Sequence, residues 1–324
     1  MIKLRRKAAT RDAYGKVLVE LGKKNKDIVV LDADLSTSTR TIWFGKEFQN
    51  RFFNFGIAEA NMLSAAAGLA ACGKIPFVST FAVFASGRAY NQLRTSIAYP
   101  NLNVKIVATH SGITVGEDGP THFCIEDIAL MRVTPNIAVL VPADAIETEE
   151  AIRACVKHYG PVYIRLGRPK FPLIYEEGYR WKEEQLTFRI GGSVMLREGE
   201  DVALVASGLM VSKALDAAEI LFKDGIEATV IDLYSIKPID KKSLCEVAER
   251  TGAIVTAEEH NVHCGVGSAV AEVLVENMPV PMEMVGIKDT FAESGSIDDL
   301  LKKYGLTAED IAQAAKRVIK RKRK

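Results

Sequence analysis

Short apolar runs recur along this chain with helix-length stretches between them, and that alternation narrows the fold more than any other feature. Ile28-Val29-Val30-Leu31, Ile75-Pro76-Phe77-Val78, Val104-Lys105-Ile106-Val107-Ala108, Ile137-Ala138-Val139-Leu140-Val141 and Val162-Tyr163-Ile164 read as strands buried on both faces. The spacing predicts helices over about 11–25, 57–72, 85–98, 124–131 and 144–158. The third and fifth open near Ser86 and Asp144, whose side chains can accept from the free amides of a helix start. Strands separated by helices need crossover connections, so the expected sheet is parallel and covered on both faces. A second, smaller alternation follows, with strands at 202–205, 228–231, 253–256 and 282–285 and helices at 211–223, 241–250 and 266–277. Between the two series the periodicity dissolves around Pro169, Pro172 and Gly178. The expectation is an α/β chain of two domains, residues 1–172 and 190–324, joined by a linker over 173–189.

Composition removes several classes of function. With 42 Lys and Arg against 41 Asp and Glu, the chain has a formal charge of +1, which argues against a surface devoted to nucleic acid or an anionic membrane. The concentrated charge at the end, Lys316-Arg317 and Lys320 to Lys324, reads as a frayed, solvated helix terminus. No stretch is long and apolar enough to cross a bilayer. The basic start, Met1 to Lys7, lacks the hydrophobic segment and cleavage site of a secretory signal. Cys72, Cys124, Cys155, Cys245 and Cys264 have no paired spacing, as expected of reduced thiols in a cytoplasmic protein.

Three clusters are polar where a core would be apolar. In Asn54-Phe55-Gly56-Ile57-Ala58-Glu59-Ala60-Asn61-Met62, Glu59 opens a predicted helix; it reads either as a carboxylate stabilised by the helix dipole or as an acid held against apolar neighbours with a raised pKa. In Ser79-Thr80-Phe81-Ala82-Val83-Phe84-Ala85-Ser86-Gly87-Arg88, two aromatics at spacing three could face a flat ring or simply fill the core. The third, His110-Ser111-Gly112-Ile113-Thr114-Val115-Gly116-Glu117-Asp118-Gly119-Pro120-Thr121-His122, follows a buried strand, and open α/β sheets bind ligands at the carboxyl ends of their strands. A metal site from His110, Asp118 and His122 and a polar sugar pocket draw on the same residue types, and spacing alone does not choose between them.

Together the clusters resemble the C-terminal part of transketolase, with Gly56-Ile57-Ala58-Glu59 similar to the family's cofactor-glutamate motif and Val115 to His122 similar to its sugar-binding loop. Ala9-Thr10-Arg11, Ala33-Asp34-Leu35 and the stretch from Asn136 to Asp144 extend the likeness. The resemblance implies a parallel-sheet, thiamine-diphosphate pyrimidine-binding domain followed by a smaller α/β C-terminal domain. It implies catalytic roles for Glu59, Asp118 and His122, cofactor contacts from Glu59, Phe84, Phe81 and Asp34, and a phosphate clamp of Arg11, Ser38, His110 and Arg168. Glu59 would sit in an apolar pocket with a raised pKa and share a proton with the aminopyrimidine ring. Gly87 departs from the aromatic residue that many members carry, which opens the outer wall of that pocket. In the second domain, Thr256 to His260 and Gly265 to Ser268 resemble a stretch at subunit interfaces of thiamine enzymes, and His260 and His263 read as interface or loop histidines.

The family holds magnesium and the diphosphate through a Gly-Asp-Gly stretch followed later by Asn, and this sequence has no such stretch: Glu117-Asp118-Gly119 lies in the sugar loop and Lys223-Asp224-Gly225 has no such sequel. The resemblance therefore implies one subunit of a split transketolase. Its N-terminal partner would bring magnesium and the diphosphate site, the chains would assemble as a dimer or heterotetramer, and the substrates would be sugar phosphates. Neighbouring readings are the matching half of 1-deoxy-xylulose 5-phosphate synthase and the beta subunit of a 2-oxo-acid dehydrogenase; the Glu-Asp-Gly-Pro-Thr-His form at 117–122 counts against both. A non-catalytic protein that kept the fold would be expected to lose Glu59, Asp118 and His122.

Overall fold

The computed structural model describes residues 6–175, 180–181, 184–185 and 188–322. Parts of the linker expected over 173–189, the basic start at 1–5 and the last two residues lie outside the described residues.

The strongest apolar runs form the centre of a seven-stranded sheet, in the order Ser235–Lys237, Ala138–Leu140, Val162–Arg165, Lys105–Thr109, Ile75–Phe81, Ile28–Asp32, Phe52–Asn54. All neighbours are parallel except Ser235–Lys237, which pairs antiparallel with Ala138–Leu140. Every residue of Ile28–Asp32, Lys105–Thr109 and Val162–Arg165 is buried, the consequence of helices on both faces. Tyr14, Val17 and Leu18 of helix Thr10–Lys24 pack with Ala151, Ile152 and Cys155 of helix Ala145–Lys157 on one face. Met62, Leu63 and Ala66 of helix Glu59–Ala71 cover the other with Leu93 and Ile97.

The second sheet runs Val194–Arg197, Ala228–Asp232, Val202–Ala206, Ile254–Asn261, Met282–Ile287, parallel apart from the first strand. Helices Met210–Lys223 and Ala308–Ile319 share one apolar cluster against it; helices Lys241–Thr251 and Val266–Asn277 contribute to the other. Ile231, Leu233 and Ile236 belong to the same cluster as Val139 and Val141, so the apolar core runs across the seam between the sheets.

Some expectations need correction. The helix expected over 85–98 is broken into π-helical turns, Phe84–Arg88 and Leu93–Ala98, around Tyr90–Gln92. Ser86 does not cap it: its hydroxyl donates to Ala82 O at 2.8 Å inside the first π turn. Asp144 does cap its helix, accepting from the Glu147 amide at 2.9 Å. The charged C-terminus is not frayed at Lys316 and Arg317, which pair with Asp224 at 2.6 Å and Glu283 at 2.7 Å on helix Ala308–Ile319.

Buried acids cluster where the sheets meet. Asp144 Oδ2 accepts from the amides of Ile174 and Tyr175 at 2.7 and 2.9 Å, and Tyr175 OH donates to Asp232 Oδ2 at 2.6 Å. Glu147 and Asp232 lie close enough to repel as charges, and Glu147 Oε1 and Asp232 Oδ1 are buried with no hydrogen-bond partner among the described residues. Burial pushes Glu147 well above the carboxylate range and Asp232 up to about 7. Both folded values exceed the unfolded ones, so the stabilisation is complete below about pH 4 and is lost as the pH rises through about 7. The melting temperature of wild type should therefore fall between about pH 5 and pH 8, and Glu147→Gln should flatten that decline. An equally steep decline in the variant would place the dependence elsewhere.

Candidate active site

The carboxyl ends of the central strands carry the site. Glu59 is the first residue of helix Glu59–Ala71 and is 4% exposed, while the apolar side chains one turn on, Met62 and Leu63, are fully buried. The apolar surroundings anticipated for Glu59 are interrupted by one cation: Arg88 Nη1 lies 3.2 Å from Glu59 Oε1. The same guanidinium sits over the Phe84 ring, 4.2 Å from its centroid, and is half exposed. Arg88 thus joins the acid to the aromatic wall, a contact the sequence reading did not anticipate.

Strand Ile75–Phe81 delivers Phe81 and, one turn later, Phe84, with ring centroids 5.8 Å apart and planes 15° from parallel. His110, just past strand Lys105–Thr109, stacks on Phe81 at 3.8 Å. His122 meets Phe84 edge-on at 5.7 Å. One aromatic stack therefore joins residues that lie far apart in the chain; pairs of this kind contribute roughly 0.5–1.5 kcal/mol each beyond burial. A Cβ built on Gly87 meets nothing within 4 Å, so the outer wall there is open.

A group of arginines surrounds His110. Burial, and then the charges of Arg11, Arg168 and Arg40, push its imidazole down to about 3, so it is neutral at physiological pH. His110 also adopts φ +58°, an uncommon backbone conformation for a side-chain-bearing residue. Arg11 Nη1 donates to Ser38 O at 2.9 Å, whereas Arg11 Nε is buried with no hydrogen-bond partner among the described residues. It is the carbonyl of Ser38, not its hydroxyl, that meets Arg11. Arg168 Nη1 donates to Val115 O at 2.6 Å.

Arg40 completes the group and was missed in the sequence. Its Nε donates to Asp12 Oδ1 and its Nη1 to Thr37 O, both at 2.6 Å. The loop that brings Ser38 and Arg40 here is shaped by buried Asp32, which accepts from Thr39 Oγ1 at 2.7 Å, Thr41 Oγ1 at 2.8 Å and the Leu35 amide at 2.6 Å.

Asp34 and Asp118 are the exposed candidates. Asp34 exchanges hydrogen bonds with Asn54 at 3.1 and 3.3 Å, and Asp118 ends the one-turn helix Gly116–Asp118. Among the described residues no three His, Cys, Asp or Glu side chains converge closely enough to hold a metal ion, so His110, Asp118 and His122 do not form the alternative metal cage. His260 is an interdomain residue: it is fully buried, its Nδ1 is 2.7 Å from Asn261 O, and its Nε2 accepts from the Ala129 amide at 3.5 Å.

A flat aromatic slot beside a buried acid, at the carboxyl edge of a parallel sheet, suits the aminopyrimidine half of thiamine diphosphate; these residues do not offer a magnesium–diphosphate cradle. The two-sheet plan with this slot defines the class as that of the thiamine-diphosphate-dependent α/β enzymes. The chain belongs to the transketolase family: residues 6–172 match the transketolase pyrimidine binding domain and residues 191–311 the transketolase C-terminal domain. It is 49% identical to a protein of Methanocaldococcus jannaschii named as a transketolase C-terminal section, over 94% of each chain. It is 44% identical to a 6-deoxy-6-sulfo-D-fructose transketolase subunit of Clostridium sp., over 96% of this chain and 95% of that one. A solved structure described as a split gene transketolase, inactive beta4 tetramer, superposes with a TM-score of 0.90 at 54% identity, covering 97% of this chain and 99% of the other. Among the described residues no helix is long and apolar enough to cross a membrane.

Proposed function

We propose that this chain is the C-terminal subunit of a cytoplasmic split transketolase that moves a two-carbon ketol unit from a ketose phosphate to an aldose phosphate in the pentose phosphate pathway. The observation that carries this reading is the set of arginines around a neutral His110, at one end of the aromatic slot that starts at Glu59. Three like charges close together repel, and a dianion at the end of a sugar relieves that repulsion; guanidinium groups match the geometry of phosphate oxygens.

Thiamine diphosphate, when bound, supplies the nucleophilic carbon that carries the ketol unit. Glu59 would hold a proton at the pyrimidine ring nitrogen, Phe84 and Phe81 would face the ring, and Asp34 would stand on the thiazolium side. Asp118 would orient a substrate hydroxyl, and His122 would donate to the oxygen that gains charge at the cleaved bond. Arg11, Ser38, His110 and Arg168 would grip the phosphate, with Arg40 added to the expected clamp. A separate N-terminal subunit would hold magnesium and the diphosphate. The names of relatives that the chain matches over nearly their whole length support that division, and the tetrameric relative supports self-association, which we place in a dimer or heterotetramer. We also divide the chain at the segment 173–189, between the two sheets.

The clamp also suits a sulfonate, and the Clostridium relative is named for a sulfo-sugar. With the reconstituted enzyme, Arg168→Ala should raise KM for phosphorylated donors about tenfold or more while lowering kcat less. An unchanged KM would move the phosphate site elsewhere, and a KM lower for a sulfonated than for a phosphorylated donor in wild type would favour the sulfo-sugar reading.

A further inference from the structure

The sequence gives the second domain no chemistry, yet one of its carboxylates reaches the loop that carries His110, Asp118 and His122. Glu259 lies on strand Ile254–Asn261 and is 5% exposed. Its Oε1 accepts the amide hydrogen of Thr114 at 2.7 Å. A Cβ built on Gly112 would fall 2.1 Å from the same oxygen, and Gly112 has φ +73°, so this close approach of backbone to carboxylate admits only glycine. The loop is held at further points by the same domain. The Asn261 amide donates to Ile125 O at 2.9 Å, and a Cβ on Gly119 (φ +79°) would fall 2.3 Å from Ser294 Oγ. Arg165, paired with Asp127 at 2.9 Å, donates to both Glu259 O and Cys124 O and so ties strand and loop together.

We infer that Glu259 is a positioning residue for the sugar loop, so that the second domain sets the placement of Asp118 and His122 without touching substrate. The inference rests on the sugar-phosphate reading of that loop. A long irregular loop has a large conformational entropy to restrain, and a hydrogen bond from its backbone amide to a buried side-chain oxygen held at fixed reach by another domain restrains it. A small displacement of groups that grip a substrate has a large effect on rate.

The test separates reach from charge. Glu259→Gln keeps an oxygen at the same reach without the charge, and Glu259→Asp keeps the charge but withdraws it by one methylene. Amide hydrogen exchange at Thr114 is measured on the chain itself, and KM and kcat on the enzyme reconstituted with its N-terminal partner. With Asp, Thr114 should exchange about tenfold faster or more, and KM for the ketose phosphate should rise about tenfold, more than kcat falls. With Gln both should stay within about twofold of wild type. Two variants that both behave as wild type, or a Gln variant that fails while Asp is normal, would overturn the inference, the second because charge toward Arg165 would then be what matters. Should the wild-type reconstituted enzyme show no ketol transfer, the transketolase reading fails while exchange at Thr114 still decides whether Glu259 holds the loop.

Discussion

Supplied with thiamine diphosphate, magnesium and pentose phosphates, the purified chain alone should show no measurable ketol transfer, and addition of its proposed N-terminal partner should raise the rate by at least about three orders of magnitude. The expectation follows from what the chain holds and what it lacks. The carboxyl edge of the first sheet offers a ring slot between Phe84, Phe81 and Glu59 and a cation group around His110. Magnesium is ordinarily held by one or two carboxylates together with substrate phosphates, and the Gly-Asp-Gly stretch that would supply them is missing from the sequence. A ring held at one end leaves the reacting carbon unplaced, which forfeits the advantage of orientation. A rate from the lone chain within tenfold of the mixture would show that the site is complete in one polypeptide.

Replacing Glu59 with glutamine should leave the fold intact and reduce kcat of the reconstituted enzyme by about a hundredfold to ten-thousandfold, the range of a lost general acid–base group. Glu59 begins its helix with its carboxyl turned to Arg88 rather than bonded back to the helix, and the packing around Met62 and Leu63 does not depend on its charge. Circular dichroism should therefore match wild type, and the melting temperature should lie within about one degree of it, the shift expected from a few tenths of a kcal/mol. The exchange rate of the cofactor's thiazolium proton, followed by NMR, should fall with kcat. Normal exchange and normal turnover in this variant would give Glu59 another role, whereas a collapsed melting curve would make the role structural.

The fold could be read in the sequence where burial makes the signal strong. Ile28–Asp32, Lys105–Thr109 and Val162–Arg165 are continuous apolar runs because both faces are covered, and each is a strand. Phe52–Asn54, Val194–Arg197 and Ser235–Lys237 escaped notice because edge strands are short, three or four residues here, so they carry neither a run nor an alternation. Ser235–Lys237 was further hidden by its sheet: it belongs in sequence to the second series and in space to the first. The broken helix at 84–98 has the composition of an ordinary one, and the π turns leave no trace in the pattern of apolar residues.

The site divides in the same way. Glu59, Phe81, Phe84, His110 and His122 stood out as polar or aromatic residues next to buried elements, and they come together. Arg88 and Arg40 drew no role from the sequence, because what gives each its place is a partner distant in sequence, Glu59 for one and Asp12 for the other. The adjacent Ser36-Thr37-Ser38-Thr39, ending at Arg40 in the left-handed region, was the one local signal available for the latter. Glu259 could not be found from sequence, since its effect is exerted on a loop well over a hundred residues earlier.

Calorimetric titration of thiamine diphosphate with magnesium, into the chain, into its N-terminal partner and into their mixture, bears most directly on the claim that the site is shared. Tight binding confined to the mixture, saturating at one cofactor per pair of chains, is the predicted result. Saturation at one cofactor per chain with no partner present would contradict it.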